Sequence, residues 1–459
     1  MLWMFLACAG SATDDSAVSG PLDMAQLVVE GTPDRNVGSA VFDLGDVDGD
    51  GAHELGVAWS YQDTFAEGQR LAVFPGNRRG TLQVEDAITL LVNDEGLGWF
   101  VDTGQCGGDG VSGHDNVVSI GDIDGDGLAE LAVSFAVDAG LGTVRIFGGD
   151  QLLSGQTVGT SSARWHLYGY TNTWAFGTDL AVGDFDGDAV ADLIVSAPLT
   201  DVPERAGSFY VVYGNRLATR PPGVVYANEV AGYVEGVVIG ELLGDRVEAV
   251  GDVTGDGLDD LAVLAPACFQ GGVGAIYLVS GAALPPRGYR DGLVPFGRYD
   301  QAGSGNGLEA NLVALGDADG DGLPDLALGG DAGDEGPEVR VLDGRALAEG
   351  GLVTHRAAFR TGADSASQLA PLRTAGHTEL LAHDGSVVVR VPDPLSASGW
   401  HHAENWPVPC QDGERSRRRR LLVAADFDGD GAEEVAVGDP AWPCTDDEDA
   451  LGVVMVLNP

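Results

Sequence analysis

One nine-residue acidic pattern recurs six times, and no other feature constrains the fold of this chain so strongly. It starts at Asp46 (DVDGDGAHE), Asp122 (DIDGDGLAE), Asp184 (DFDGDAVAD), Asp252 (DVTGDGLDD), Asp317 (DADGDGLPD) and Asp426 (DFDGDGAEE). The first four intervals are 76, 62, 68 and 65 residues, and the last is 109. Regular spacing on this scale marks a repeat architecture, in which each unit covers its apolar faces with its neighbours. The long last interval holds a worn copy. Residues 369–381 (LAPLRTAGHTELL) keep the flanking strand pattern but shorten the loop and lose its acids before Glu379. Seven repeats therefore share the 380 residues from Asp46 to Asp426 in six intervals, a period of about 63.

Each unit reads alike. An apolar stretch such as residues 39–44 (SAVFDL) enters the acidic loop, and an alternating stretch such as residues 54–59 (ELGVAW) leaves it. After a variable loop comes a β-rich run ending in Gly, as in residues 207–214 (GSFYVVYG) and 274–281 (GAIYLVSG). A weaker fourth segment closes the unit, exemplified by residues 223–226 (GVVY). β-Branched and aromatic residues alternating between Gly-rich turns are strand signals. The 70 Gly and the low aromatic content of 7% suit tight turns between short strands.

Four strands in about 63 residues make one propeller blade. The predicted fold is all-β: a seven-bladed β-propeller of four-stranded antiparallel blades over residues 21–459, the sixth blade without a metal loop. Residues 451–459 (LGVVMVLNP) match a third strand and stop, while residues 26–30 (QLVVE) match an orphan fourth strand. Pairing the two would complete the last blade with an N-terminal strand and close the ring.

The acidic loop has the makings of a cation site. In the first loop Asp46, Asp48, Asp50 and Glu54 supply carboxylates at positions 1, 3, 5 and 9, and Ala52 supplies a backbone carbonyl at position 7. The same positions recur as Asp122, Asp124, Asp126, Leu128 and Glu130, and as Asp184, Asp186, Asp188, Val190 and Asp192. They recur again as Asp252, Thr254, Asp256, Leu258 and Asp260, as Asp317, Asp319, Asp321, Leu323 and Asp325, and as Asp426, Asp428, Asp430, Ala432 and Glu434. Six to eight hard oxygens in a flexible cage suit Ca²⁺ better than Mg²⁺, which demands strict octahedral geometry. Up to six Ca²⁺ are expected, in a structural role.

The variations grade the loops. Thr254 replaces an acid and weakens its loop, and Ala189 stands where the turn wants Gly. An EF-hand starts alike but needs a Glu at position 12 between two helices. Position 12 here is Val57, Val133, Val195, Val263, Leu328 and Val437, all apolar, so the EF-hand reading fails.

Charge and termini narrow the setting. The 71 acidic residues face 24 basic ones, all Arg, for a net charge of −47. Such a surface repels nucleic acid and anionic lipid, so neither is an expected partner. Residues 5–8 (FLAC) resemble a lipoprotein cleavage box. Residues 1–20 are accordingly expected to be a truncated export signal and polar tether, with Cys8 as the candidate lipid anchor and the only link to a membrane. The short apolar run and the missing basic residues before it leave an ordinary apolar leader as the alternative. Cys106, Cys268, Cys410 and Cys444 show no Cys-x-x-Cys spacing, and export would permit disulfides. Cys410–Cys444 is the pair expected. The localisation read from this is the cell surface or the secreted fraction, as an outer-membrane lipoprotein if Cys8 is lipidated.

The repeat resembles the FG-GAP repeat of integrin α-chain propellers over roughly residues 21–459. Phe176-Gly177 and Ser196-Ala197-Pro198 around Asp184 come closest to that family's Phe-Gly and Gly-Ala-Pro elements. Leu243-Gly244 with Leu264-Ala265-Pro266, and Gly438-Asp439-Pro440, match in part, and the other repeats lack the Ala-Pro element. The resemblance implies seven blades, calcium on the hairpins between first and second strands, and ligand binding on the opposite face.

Nothing in the sequence argues for catalysis. It has no Gly-x-Ser-x-Gly elbow, His-Glu-x-x-His or phosphate loop. His401-His402 is the one adjacent His pair, read as a solvated loop. Loops expected on the face opposite calcium carry aromatics: residues 97–100 (LGWF), 164–168 (RWHLY), 400–406 (WHHAENW) and 441–444 (AWPC). These rings either recognise a partner or fill gaps between blades. Arg415 and Arg417 to Arg420 form a basic run, read as an exposed loop, with an anionic ligand as the alternative. The function expected is an extracellular calcium-binding adhesion or protein-interaction module, with an unknown protein or glycan as partner. The alternative is a glycan-binding, lectin-like propeller.

Overall fold

The computed structural model describes residues 25–31, 37–59, 70–97, 116–135, 142–169, 175–200, 205–266, 274–286, 288–300, 310–331, 337–360, 368–374, 377–383, 387–400, 405–407, 422–439 and 453–458. They form seven β-sheets arranged as the blades of a propeller. Blade 1 is built from Ala40–Asp43, Leu55–Trp59, Arg70–Phe74 and Thr89–Val92, in that order from the centre outward. Blades 2 to 6 begin at Val117, Leu180, Arg246, Ala310 and Gln368 and repeat the same antiparallel order. The seven innermost strands contact one another in cyclic order, the strand of blade 7 (Leu422–Ala425) returning to that of blade 1. The ring is closed.

The closing strand is N-terminal, as the sequence predicts. Ala25–Glu30 pairs antiparallel with Val453–Leu457, with Val28 opposite Met455 and Glu30 opposite Val453. Its other edge pairs parallel with Gly80–Gln83 of blade 1. Leu27 and Val29 are buried in the wedge between blades 7 and 1. Arg79 donates to both Gln26 Oε1 and Asp428 Oδ2 across the same seam.

The parallel pairing reveals a strand the sequence reading misplaced. Residues 223–226 do not form the fourth strand of their own blade. Gly223–Tyr226 instead adds a fifth, parallel strand to blade 2, register Trp165 to Gly223, and the fourth strand of blade 3 is Ala231–Glu235. Thr157–Gly159, Gly288–Asp291, Gly351–Val353 and Ser398–Trp400 clasp the preceding blade in the same way. A short strand in the link between the third and fourth strands thus caps the outer edge of the blade before it, hiding unpaired backbone groups. Among the described residues, blade 6 keeps four strands.

The worn sixth repeat folds with the others. Gln368–Thr374 and His377–His383 pair in continuous register from Gln368↔His383 to Thr374↔His377. Its short connection replaces the nine-residue acidic loop.

The apolar core is divided among the blade interfaces. One cluster joins Phe42 and Leu71 of blade 1 to Phe135 and Phe147 of blade 2. Another joins Ile146 and Trp165 of blade 2 to Leu193 and Tyr210 of blade 3. Five further clusters fill the remaining interfaces round to blades 7 and 1. Second strands such as Leu55–Trp59 and Leu131–Phe135 are buried along their whole length because both faces meet a neighbour.

Deleting residues 21–31 removes three buried apolar side chains, Leu27, Val28 and Val29, each contributing about 1.5–3 kcal/mol, together with ladders to two strands. Thermal unfolding of the deletion variant should lose its single cooperative transition, or the protein should aggregate. An unchanged melting temperature would contradict ring closure by this strand.

Candidate metal centre

All six acidic loops connect the first and second strands of their blades, which puts them on one rim of the ring. Neighbouring loops touch there. His53 N–H donates to Asp426 O at 2.9 Å, joining blades 1 and 7, and Asp259 N–H donates to Asp184 O at 2.9 Å, joining blades 4 and 3.

Each loop winds round the carboxylate at its first position. Asp46 Oδ1 accepts from Gly49 N–H at 2.7 Å and Oδ2 from Gly51 N–H at 3.0 Å. Asp122 repeats this with Gly125 and Gly127, and Asp426 with Gly429 and Gly431. The N–H groups of Ala52, Leu128, Val190, Leu258, Leu323 and Ala432 each donate to the position-5 Asp two residues earlier. The tight turn demands positive φ at position 6, where Gly51 lies at 95°. Ala189 is held at φ 65° in the third loop, a left-handed conformation that costs a residue with a Cβ about 1 kcal/mol.

The carboxylate at position 9 comes from the start of the second strand and is buried in every loop: Glu54, Glu130, Asp192, Asp260, Asp325 and Glu434. In five loops it accepts from the position-2 N–H, as Glu54 Oε2 does from Val47 at 2.7 Å. In the fourth, Asp260 Oδ2 accepts from Thr254 N–H instead, at 2.8 Å. Where position 9 is Asp, the glycine after the third strand adds a donor: Gly214 to Asp192, Gly281 to Asp260 and Gly344 to Asp325. Burial, reinforced by the neighbouring acids, pushes Glu54, Glu130, Asp192 and Glu434 up to about 7 and Asp325 to about 6. Asp260 is raised by the same desolvation.

A cation would relieve this arrangement. Ca²⁺ holds oxygens at about 2.4 Å, so ligands on opposite sides lie about 4.8 Å apart. Five loops bring one oxygen from each of three acids within 4.8 Å of one another. The groups are Asp46, Asp48 and Asp50; Asp122, Asp124 and Glu130; Asp184, Asp186 and Asp192; Asp317, Asp319 and Asp325; and Asp426, Asp428 and Glu434. The donor set fits a hard divalent ion. The Asp252 loop forms no such group among the described residues, because Thr254 stands in for the acid and its hydroxyl reaches Asp260 Oδ1 at 3.4 Å.

Residues 176–212 match the FG-GAP repeat. The matched stretch contains the third acidic loop between Phe176-Gly177 and the third strand of its blade. Mouse (Mus musculus) integrin alpha-IIb is 30% identical over 166 residues, 36% of this chain and 15% of its own length. Integrin alpha-PS5 of Drosophila melanogaster is 31% identical over 162 residues, 34% of this chain and 15% of its own. Phosphatidylinositol-glycan-specific phospholipase D of Rattus norvegicus is 35% identical over 108 residues, 22% of this chain and 13% of its own. The chain thus aligns with about one-seventh of these relatives.

The sequence reading of the opposite face needs correction at its aromatic residues. Residues 164–168 are not a loop: Trp165–Tyr168 is the fourth strand of blade 2, and Trp165 is buried between blades 2 and 3. Trp400 and Trp406 also lie on strands, Ser398–Trp400 and Asn405–Pro407. Leu97 is buried, its N–H and C=O bonded to the Asn93 side chain. Trp99, Phe100, His401, His402, Trp442, the Arg415 to Arg420 run, Cys8, Cys106, Cys268, Cys410 and Cys444 lie outside the described residues.

Sequence reasoning also missed a ring of side chains that meets the loops from the third strands. Asn77 Nδ2 donates to Asp50 Oδ2 at 2.5 Å, Asn215 to Asp188 Oδ2, Ser280 to Asp256 Oδ2 at 2.9 Å and Arg345 to Asp321 Oδ2 at 2.9 Å. The signal was present: each stands beside the Gly that ends the β-rich run, two strands beyond the acids it contacts.

The centre of the ring is a cavity of about 500 Å³ lined by the innermost strands. Its polar groups tie parts of the ring together. His53 Nδ1 pairs with Asp43 Oδ1 at 2.8 Å, Arg373 Nη1 with Glu433 Oε1 at 3.1 Å, and Glu248 Oε1 accepts from Ala314 N–H of the next blade at 2.8 Å. Burial pushes Glu248 up to about 8, against an ordinary value of 4.5. The folded protein then binds a proton at this site that the unfolded chain releases above pH 4.5, so stability falls as pH rises from 4.5 through 8. Glu248→Gln keeps an acceptor for Ala314 without a charge. Its melting temperature should exceed that of the parent protein at pH 8.5 and approach it at pH 5; equal differences at both would show that Glu248 does not titrate in this way.

Proposed function

We propose that this chain is an extracellular propeller whose acidic hairpins bind Ca²⁺ structurally and whose opposite face serves as a protein-interaction or adhesion surface. The observation that carries the reading is the recurrence, on one rim, of three converging acids in five loops. Bound Ca²⁺ would supply positive charge that neutralises each cluster and links the two strands of its hairpin. The ligands are the residues at positions 1, 3, 5, 7 and 9 of each loop, from Asp46 to Glu434, with the Asp252 loop the weakest.

The likeness to integrin α-chains supports an interaction role, because a rigid ring presenting variable loops is a scaffold for recognition. Phospholipase activity is named for a relative that aligns over 22% of this chain, and we assign no catalytic step here. Protein recognition is preferred to glycan binding because the two Trp whose side chains are described, Trp59 and Trp165, are buried between blades. Residues 1–20 are assigned to export and tethering, with Cys8 as the lipid-anchor candidate, and residues 21–459 to the propeller. Among the described residues, no helix is long and apolar enough to cross a membrane.

Calcium at 100 times its dissociation constant adds about 2.7 kcal/mol per site to stability. Calcium addition should therefore raise the melting temperature, EGTA should reverse it, and Asp184→Asn should reduce the gain. A melting temperature indifferent to calcium and chelator would overturn the metal assignment. The calcium-loaded protein should give a blank glycan array; calcium-dependent binding to one sugar class would favour the lectin alternative.

A further inference from the structure

We propose that the acidic loops fall into two classes, and that Arg164 in blade 2 and Arg356 in blade 5 are built-in cations that hold their loops without a divalent ion and must be displaced before one binds. The inference rests on the calcium reading above.

Both arginines occupy one structural position, the residue immediately before the fourth strand of the blade, Trp165–Tyr168 or Ala357–Arg360. Arg164 Nη1 donates to Asp124 Oδ2 and lies 3.5 Å from Glu130 Oε1, while Nη2 lies 2.7 Å from Asp150 Oδ1 and 3.9 Å from Asp126 Oδ2. Asp124 and Glu130 belong to the converging group of blade 2, so the guanidinium stands among the oxygens that would hold the ion. Arg356 Nη1 donates to Asp319 Oδ2 at 2.6 Å and to Asp343 Oδ2, and Asp319 belongs to the group of blade 5.

The backbone makes room for this. A Cβ on Gly148 would fall 2.3 to 2.5 Å from Nη2, Cζ and Nε of Arg164. Pro75, Tyr213, Ser280 and Asp343 hold the equivalent position in blades 1, 3, 4 and 5, directly before the glycine that follows the third strand. In blades 1, 3 and 4 the residue before the fourth strand is Ile88, Val230 or Phe296, which can offer no charge. There, among the described residues, the side chains that bond the position-5 acid are the neutral Asn77, Asn215 and Ser280, and the one positive charge felt at the blade 3 loop, that of Arg216 on Asp186, acts without a hydrogen bond to it.

A guanidinium cannot shed its proton at any working pH, so its charge competes with calcium throughout. Blades 1 and 3 should fill first, blade 5 later and blade 2 last. Blade 7 is intermediate, since Arg79 reaches its Asp428 from blade 1 but is itself largely exposed.

Calcium titration of the full-length protein by isothermal calorimetry, with melting temperatures in EGTA and in saturating calcium, tests this in the parent protein and in Arg164→Gln, Arg356→Gln and Asp122→Asn/Arg164→Gln. The parent should show a tight and a weak class of sites. Arg164→Gln should move one site into the tight class, tightening it roughly tenfold, and should lower the melting temperature in EGTA but not in calcium. The double variant should lose that site. Arg356→Gln, at a more exposed residue, should show the same direction to a smaller extent and covers the case in which Arg164→Gln fails to fold. Calcium bound in one class, with both single variants unchanged, would overturn the role of the arginines while leaving the metal assignment intact. No calcium binding by the parent protein would overturn both.

Discussion

Everything in this molecule depends on a blade having two apolar faces and being unable to cover either alone. Each sheet buries one face against the blade before it and the other against the blade after it, so the core exists only as a set of wedges between neighbours. An array of this kind is stable in proportion to the interfaces it completes, and an open array would leave two faces in water. The ring solves this by splitting blade 7 across the chain ends. Ala25–Glu30 enters as its fourth strand and is held on both edges, by Val453–Leu457 and by Gly80–Gln83. Local packing everywhere is thus conditional on a contact between residues more than 400 positions apart in sequence.

The acidic rim sets a second constraint against the first. The second strands must be buried to fill the wedges, yet each begins with the carboxylate that completes the loop, so Glu54, Asp192 and their counterparts are drawn out of water beside other acids. Backbone N–H groups from the loop and from the glycine after the third strand offset part of that cost. They do not supply positive charge. A proton on the raised position-9 carboxyl or a cation can, and the blades differ in how much positive charge the protein provides for itself.

Much of this was legible in the sequence because the acidic loop is local. Nine consecutive residues specify the hairpin, its spacing specifies the blade, and the apolar residues at position 12 specify the strand that follows. The worn repeat at residues 369–381 was readable for the same reason, since its strands alternate even where its acids are gone. Legibility failed where the decisive contact is not local. Residues 223–226 are a short apolar run behind a glycine, and nothing in them tells whether they pair with Ser208–Val212 of their own blade or with Trp165–Tyr168 of the one before. Whether Trp165 recognises a partner or fills a gap between blades was equally undecidable locally, because its burial is supplied by blade 3, which begins at Leu180 and packs against it.

The same distinction explains why the loops looked more alike than they are. The motif compares six sets of acids with one another and finds five nearly identical. The charge each set experiences is decided by residues a full strand or more away: Asn77 and Asn215 for two loops, Arg164 and Arg356 for two others. At about 4 Å, a fixed charge in a partly buried site is worth more than the exchange of one carboxylate for another within the loop. If the loops bind ions as proposed, their affinities would be graded less by the conspicuous repeat than by the arginines that reach it from elsewhere, Arg164 and Arg356 from before fourth strands and Arg345 and Arg79 from beyond third strands.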